Sequence, residues 1–262
     1  RSNSQANRQA IVNEIDGSEV KALWEGVNWG NDCWTTNTNG EKVLRLMAGS
    51  LLTIDRHPFS TECARRGITI EIDYRVDNVT NYSEPVMMIS SPSGNSFIGL
   101  NLYADDIIMH TQSLKDDSVQ SLHTFEGKRT RLTLTVLPTA YGNPGFNLCI
   151  LYINGRKNRE FTYEDNDYFA QSGAIVIGSD YADVDVYGIR EYASGLTSQG
   201  VLTNYINWLS DTEEKARVKA FNDILDPNGS EIDFDNTRDQ FNCLVFDLSL
   251  IHISEPTRRS YI

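Results

Sequence analysis

The sequence predicts an all-β protein, a two-sheet antiparallel sandwich with a short helical extension toward its C-terminus. Three observations carry that prediction. Between about Val43 and Tyr192 apolar residues recur at every second position, the period of strands with one inward face. Turn signals punctuate the runs at Asn39-Gly40, Ala48-Gly49, Ser93-Gly94-Asn95, Tyr141-Gly142-Asn143-Pro144-Gly145 and Asn154-Gly155. No helical repeat separates one run from the next, which points to strands joined by short turns and away from crossover helices.

Taken in chain order, residues 1–20 are polar, and Ala10, Ile11 and Ile15 permit a short helix. Strands are expected at Val43–Met47 and Leu51–Ile54. The clearest alternation follows: Ile68, Ile70, Ile72, Tyr74 and Val76 share one face, while Thr69, Glu71, Asp73 and Arg75 share the other and are expected to be wet. Further strands are expected at Val86–Ser90, Phe97–Tyr103, Ile107–His110, Arg131–Leu137, Leu148–Ile153, Ala174–Ile177 and Val184–Tyr192. Asn154-Gly155 suits a type I′ hairpin because both residues tolerate positive φ. Gly188, inside the last strand, marks a bulge or a close backbone approach.

The period then turns helical. Val201, Leu202, Tyr205, Ile206 and Leu209 share one face of a helix that starts at Thr197 or Ser198, whose hydroxyls accept from unpaired N–H groups. Ser210-Asp211-Thr212-Glu213 has capping-box spacing and opens a second helix to about Leu225, stopped by Asp226-Pro227-Asn228-Gly229. The expected organisation is an N-terminal segment (1–20), a sandwich (20–196), two helices (197–225), the start of a following segment (226–247) and a tail (248–262).

Composition excludes several function classes. With 23 Lys and Arg against 36 Asp and Glu the net charge is −13, so no basic surface is available for nucleic acid or anionic lipid. No apolar run approaches the roughly 18 residues of a membrane helix, and no secretory signal pattern opens the chain. Cys33, Cys63, Cys149 and Cys243 show no metal-ligand spacing and read as thiols outside any disulfide, with a Cys33–Cys63 bridge as the alternative. There is no Gly-x-Ser-x-Gly, and His57, His110 and His123 form no His-x-x-x-His pair.

Three stretches in order are similar to a known family: Gly67-Ile68-Thr69-Ile70-Glu71-Ile72-Asp73-Tyr74-Arg75-Val76, Leu151-Tyr152-Ile153-Asn154-Gly155, and Val184-Asp185-Val186-Tyr187-Gly188-Ile189-Arg190-Glu191-Tyr192 followed by Leu196-Thr197-Ser198 and a helix. They resemble a laminin-G-like domain of the concanavalin A-like lectin/glucanase superfamily, over roughly residues 20–210. The opening, Val27-Asn28-Trp29 through Trp34-Thr35 and Val43-Leu44-Arg45-Leu46-Met47, resembles large proteins encoded by gut bacteria and their phages. The resemblance implies a jelly-roll sandwich. Its motifs are structural, so they speak to fold and hardly to activity.

Some glucanases of that superfamily carry Glu-x-Asp-x-Glu on one strand. Here Glu71 and Asp73 are followed by Arg75, so the last carboxylate is missing and no hydrolase is expected. The resemblance also leaves calcium open as a cofactor, because some relatives bind it at the sandwich edge. Asp105, Asp106, Asp180 and Asp183 are the candidate oxygen ligands, with Asp116, Asp117 and Asp185 near them; the alternative is that an acidic chain scatters Asp through its turns. Sugar binding would use exposed rings beside polar groups, and Trp29, Asn31, Asp32, Trp34 and Tyr141 are the candidates, the alternative being that these rings plug the sandwich.

The resulting expectation is a non-enzymatic lectin-like module of a larger phage structural or cell-surface protein, with cell-surface glycan or a neighbouring virion protein as partner. A lectin requires an exposed aromatic patch with Asp and Asn on a concave sheet or at the loop end. A purely structural virion domain instead requires an apolar strip, such as helix Ser198–Leu209, turned toward a neighbour. A glycoside hydrolase is the weakest alternative.

Both ends look cut. Leu248-Ser249-Leu250-Ile251-His252-Ile253-Ser254-Glu255-Pro256-Thr257-Arg258 resembles the read-through translation of a transposon-end adapter used in sequencing libraries. Residues 248–262, His252 included, are therefore expected to carry no role. Arg1 opens the chain without Met, and the natural start is expected upstream.

Overall fold

The structure, a computed structural model, describes residues 11–13, 15, 17–29, 33–36, 42–55, 67–90, 99–104, 106–110, 117–120, 126–137, 146–164, 173–208 and 244–249. In chain order the elements are β1 (Ile11–Val12), β2 (Glu19–Val20), β3 (Ala22–Glu25), β4 (Trp34–Thr36), β5 (Lys42–Leu46), β6 (Ser50–Asp55), β7 (Ile68–Asp77), β8 (Met87–Ser90), β9 (Gly99–Leu102), β10 (Asp106–His110), β11 (Asp117–Gln120), β12 (Thr130–Leu137), β13 (Phe146–Ile153), β14 (Arg156–Glu164), β15 (Ala174–Ser179), β16 (Asp183–Tyr192), α1 (Ser198–Trp208) and β17 (Leu244–Ser249). The second expected helix, up to Leu225, lies outside the described residues.

Alternation builds two antiparallel sheets. One runs β11-β10-β9-β8-β15-β6-β3, and the other runs β14-β13-β12-β7-β16-β5-β4. β5 pairs Val184–Val186 of β16, and β17 continues along the same strand from Gly188 to Tyr192. The inward face of β7 is the one the alternation marks: Ile68, Ile70, Ile72, Tyr74 and Val76 share a core with Leu52, Ile54, Ile89, Ile175 and Ile177 of the opposite sheet. The fold is thus an all-β sandwich with one described helix.

Local expectations hold at the turns. Asn154 and Gly155 have φ of 52° and 75°, as a type I′ hairpin requires. The β7–β16 register shifts between Val186 and Gly188, so Tyr187 is the extra residue of a bulge. Thr197 caps α1, its Oγ1 accepting from Gly200 N at 3.1 Å.

Two expectations are corrected. Ile11 lies on a strand rather than a helix: β1 pairs with β2, and Ile11 itself is buried in the main core. The chain reverses between the two strands in a turn closed by Gly17 N donating to the Asn13 carbonyl at 2.8 Å, with Gly17 in the left-handed region where the helix cannot continue. The second correction concerns β7. Thr69, Glu71 and Asp73 are buried, not wet, because α1 and Leu196 pack over that face of the sheet. Strand periodicity distinguishes two faces, yet a polar face covered by a helix has the same pattern as one covered by water.

Tyr74 is fully buried in the core, and among the described residues its Oη has no hydrogen-bond partner. Burial pushes its phenol upward from the ordinary value. Below about pH 10 both folded and unfolded Tyr74 are neutral; above it only the unfolded chain ionises freely, so stability falls as pH rises toward the raised folded value. Tyr74→Phe is expected to remove that alkaline loss and to gain about 1 kcal/mol at neutral pH. Urea unfolding at neutral pH and above pH 10 measures both effects; equal alkaline sensitivity in the two proteins would refute the account.

Candidate functional site

The acids of β7 are held, not offered. Glu71 accepts from Tyr192 Oη at 2.8 Å and from Asn204 Nδ2 at 3.3 Å to each oxygen, with Thr133 Oγ1 at 3.5 Å. Asn204 comes from α1, Tyr192 from β16 and Thr133 from β12, so one carboxylate ties the helix to three strands. Asp73 accepts from Arg129 Nε and Nη2 at 2.9 and 2.8 Å and from Arg131 Nη2 at 2.8 Å. Arg131 Nη1 in turn donates to the Asn204 carbonyl at 3.1 Å. Burial lowers the Arg131 pKa from its usual value, opposed by the charges of Asp73 and Glu71. Arg129 also lies 4.0 Å over the Tyr187 ring. Glycoside hydrolysis needs two carboxylates flanking a bond in an open cleft. Glu71 and Asp73 are 0% and 2% exposed, and Asp73 is neutralised by two guanidiniums. Glu71 is bonded to α1 through Asn204, and Asp73 is linked to it through Arg131.

The sugar-stacking candidates are partly placed. Trp29 and Trp34 gather around Trp24, with ring centroids 5.0 and 6.4 Å from it and interplanar angles of 67° and 66°. Trp24 lies on β3 and Trp34 on β4, the edge strands of opposite sheets, so the half-buried indoles fill the side where the sandwich would open. Asn31, Asp32 and Tyr141 lie outside the described residues. Cys33 and Cys149 are buried thiols outside any disulfide, and Cys33 Sγ donates to the Asn28 carbonyl.

Among the calcium candidates, Asp183 accepts from Ala48 N at 2.9 Å and from Asn78 Nδ2 at 2.8 Å. Asp185 accepts from Arg45 Nε and Nη2, each at 2.6 Å, which raises the Arg45 pKa. Asp180 is exposed on the β15–β16 turn. Asp105 and the side chain of Asp106 lie outside the described residues. Among the described residues no three acid, His or Cys side chains converge, so the described candidates do not fit a calcium cage.

The bonds around Asp183 lead to a surface that sequence reasoning missed. Four connections meet at the end of the sandwich where β7 finishes and β16 begins: residues 47–49, 78–86, 126–129 and 180–182. Thr80 N and Oγ1 both donate to the Tyr181 carbonyl, at 2.8 and 3.1 Å. Gly49 N donates to Ser179 O at 2.9 Å, and Val79 N to Glu126 Oε1 at 3.2 Å. Tyr82 Oη donates to Glu126 Oε2. Asn78, left-handed at φ 55°, begins the long loop, and Asn81 Oδ1 accepts from Ser83 N at 3.0 Å in an Asx turn. In these loops Tyr82 and Tyr181 are 41% and 40% exposed, and Met47, on the β5–β6 connection at the same end, is 44% exposed. The signal was present as a tyrosine among turn residues, in Asn81-Tyr82-Ser83 and Asp180-Tyr181-Ala182. The Thr80–Tyr181 bonds bring the two loops together.

No protein-family model and no curated protein matches the chain. Solved structures do. The binding domain of botulinum neurotoxin DC in complex with rat synaptotagmin II is 12% identical, with a TM-score of 0.51 over 77% of this chain and 51% of that one. The binding domain of botulinum neurotoxin DC in complex with SialylT is 11% identical, with a TM-score of 0.52 over 77% and 51%. A structure described as the receptor binding domain is 12% identical, with a TM-score of 0.51 over 79% and 53%. The chain spans about half the length of these structures, and at such identities the likeness shows the fold alone.

Proposed function

We propose that this chain is a non-enzymatic, lectin-like binding module of the laminin-G type that holds carbohydrate on the loop end of its sandwich. The observation that carries this is the pair of partly exposed tyrosines, Tyr82 and Tyr181, fixed by hydrogen bonds between two loops with Asn78, Asn81 and Asp180 around them. Sugar C–H faces stack on such rings while amides and carboxylates orient hydroxyls. Loops pinned before the ligand arrives lose little freedom on binding. Receptor-binding domains of similar fold support a binding role, and sealed acids on β7 count against hydrolysis. The setting this reading suits is the outside of a cell or of a virion, as part of a larger phage or bacterial protein.

The virion-scaffold alternative asked for an apolar strip turned toward a neighbour, with the helix as one example of where it would lie. At α1, Val201 and Ile206 are buried, and the helix is bonded to its own sheet, so that example does not supply the strip. A glycan array probed with the chain tests the proposal. Binding is expected to weaken about ten-fold in Tyr82→Ala and in Tyr181→Ala, the loss of one stacked ring. An array on which no glycan is retained would favour the protein-contacting role.

A further inference from the structure

We propose that the loop end selects uncharged glycans and rejects sialylated or sulfated ones, an inference that rests on the glycan-binding reading above. The charges around the two rings are one-sided. Asp180 precedes Tyr181 and is exposed, Glu84 is exposed two residues beyond Tyr82, Glu126 accepts from the Tyr82 hydroxyl itself, and Asp183 stands behind the turn. The described connections themselves carry Glu84, Glu126 and Asp180, against the exposed Lys128 and the half-buried Arg129. Arg129 at their edge is committed to Asp73, and Arg75 is neutralised by Asp77 at 2.9 Å. The net charge of −13 adds to the field at this surface.

Hydrogen-bond chemistry points the same way. An ionised carboxylate only accepts. Neutral sugars bring hydroxyl and amide N–H donors, and such bonds to a charged acceptor are about twice as strong as neutral ones. A sialic acid carboxylate or a sulfate brings acceptors and a second negative charge to the same place. Asp180 is the chain neighbour of Tyr181, and Glu126 accepts from the Tyr82 hydroxyl, so each ring has a carboxylate associated with it.

The test uses the whole chain and two probes that differ in one feature: a lactose-terminated glycan and its sialylated counterpart, titrated at low and at high salt. The lactose-terminated probe is expected to bind, and the sialylated one to bind at least about ten-fold more weakly at low salt, with the gap narrowing as salt screens the carboxylates. Asp180→Asn is expected to narrow the gap at low salt, and unchanged far-UV circular dichroism would show that the fold persists. Equal or tighter binding of the sialylated probe would overturn the selectivity while leaving the glycan-binding reading intact. A gap that ignores both salt and Asp180→Asn would overturn the electrostatic cause. If neither probe nor a broader neutral panel binds, the glycan-binding reading fails, and the selectivity with it.

Discussion

Asp73→Ala is expected to lower the unfolding free energy by about 3–5 kcal/mol, read as a reduced urea midpoint. The size follows from what is left behind. Arg131 is 3% exposed, its charge already disfavoured by burial, and Asp73 is its ion-pair partner at 2.8 Å. Removing the carboxylate strands a guanidinium beneath α1, where Nη1 still reaches the Asn204 carbonyl. Arg129, more exposed, can turn outward into water. The account makes a second demand. A double variant, Asp73→Leu with Arg131→Met, should lose much less than the single change, because an apolar pair of similar volume carries no uncompensated charge. A single variant within about 0.5 kcal/mol of the parent would show that the pair is not what holds the helix down.

Gly178→Ala is expected to cost about 3 kcal/mol, comparable to a severe overpacking of the core. Gly178 has φ of 110°, and a Cβ built there would stand 2.1 Å from the Ser50 carbonyl oxygen. The obstacle is backbone of β6, not the end of a flexible side chain, so relief requires separating β15 from β6 where Gly178 pairs with Leu51. Both strands lie inside their sheet, with neighbours that resist the shift. Thermal unfolding of the variant checks this, and an unchanged midpoint would refute it.

How much of the fold was legible in the residues depends on where each strand lies. Strands with partners on both sides, such as β7, β12 and β16, show the alternation clearly. The strands that escaped reading are the short pair β1 and β2, then β3, β4, β11 and β14, the edges of the two large sheets, and β17, which fills half an edge of β16. β14 begins Arg156-Lys157-Asn158-Arg159-Glu160, which reads as loop. Charge on an edge keeps the unpaired side in water and blocks further pairing, so the feature that suits the position also hides the strand. The Asn154-Gly155 turn implied a strand beyond it, yet the composition of that strand did not reveal its extent.

The same division runs through the site. Residue order alone pointed to the strands of a sandwich, the inward face of β7, the hairpin at Asn154-Gly155 and a helix start at Thr197 or Ser198, because each is a contest among neighbours a few residues apart. The structure chose the bulge at Gly188 over a close approach, and Thr197 as the cap. Tertiary structure decided what covers the far side of β7 and which loops meet. Glu71 and Asn204 are 133 residues apart in the chain, and Thr80 and Tyr181 are 101 apart. No local pattern encodes such distances. Whether a carboxylate faces water or a helix, and whether two tyrosine-bearing loops meet, is settled only when the two sheets stack and bring those segments into contact.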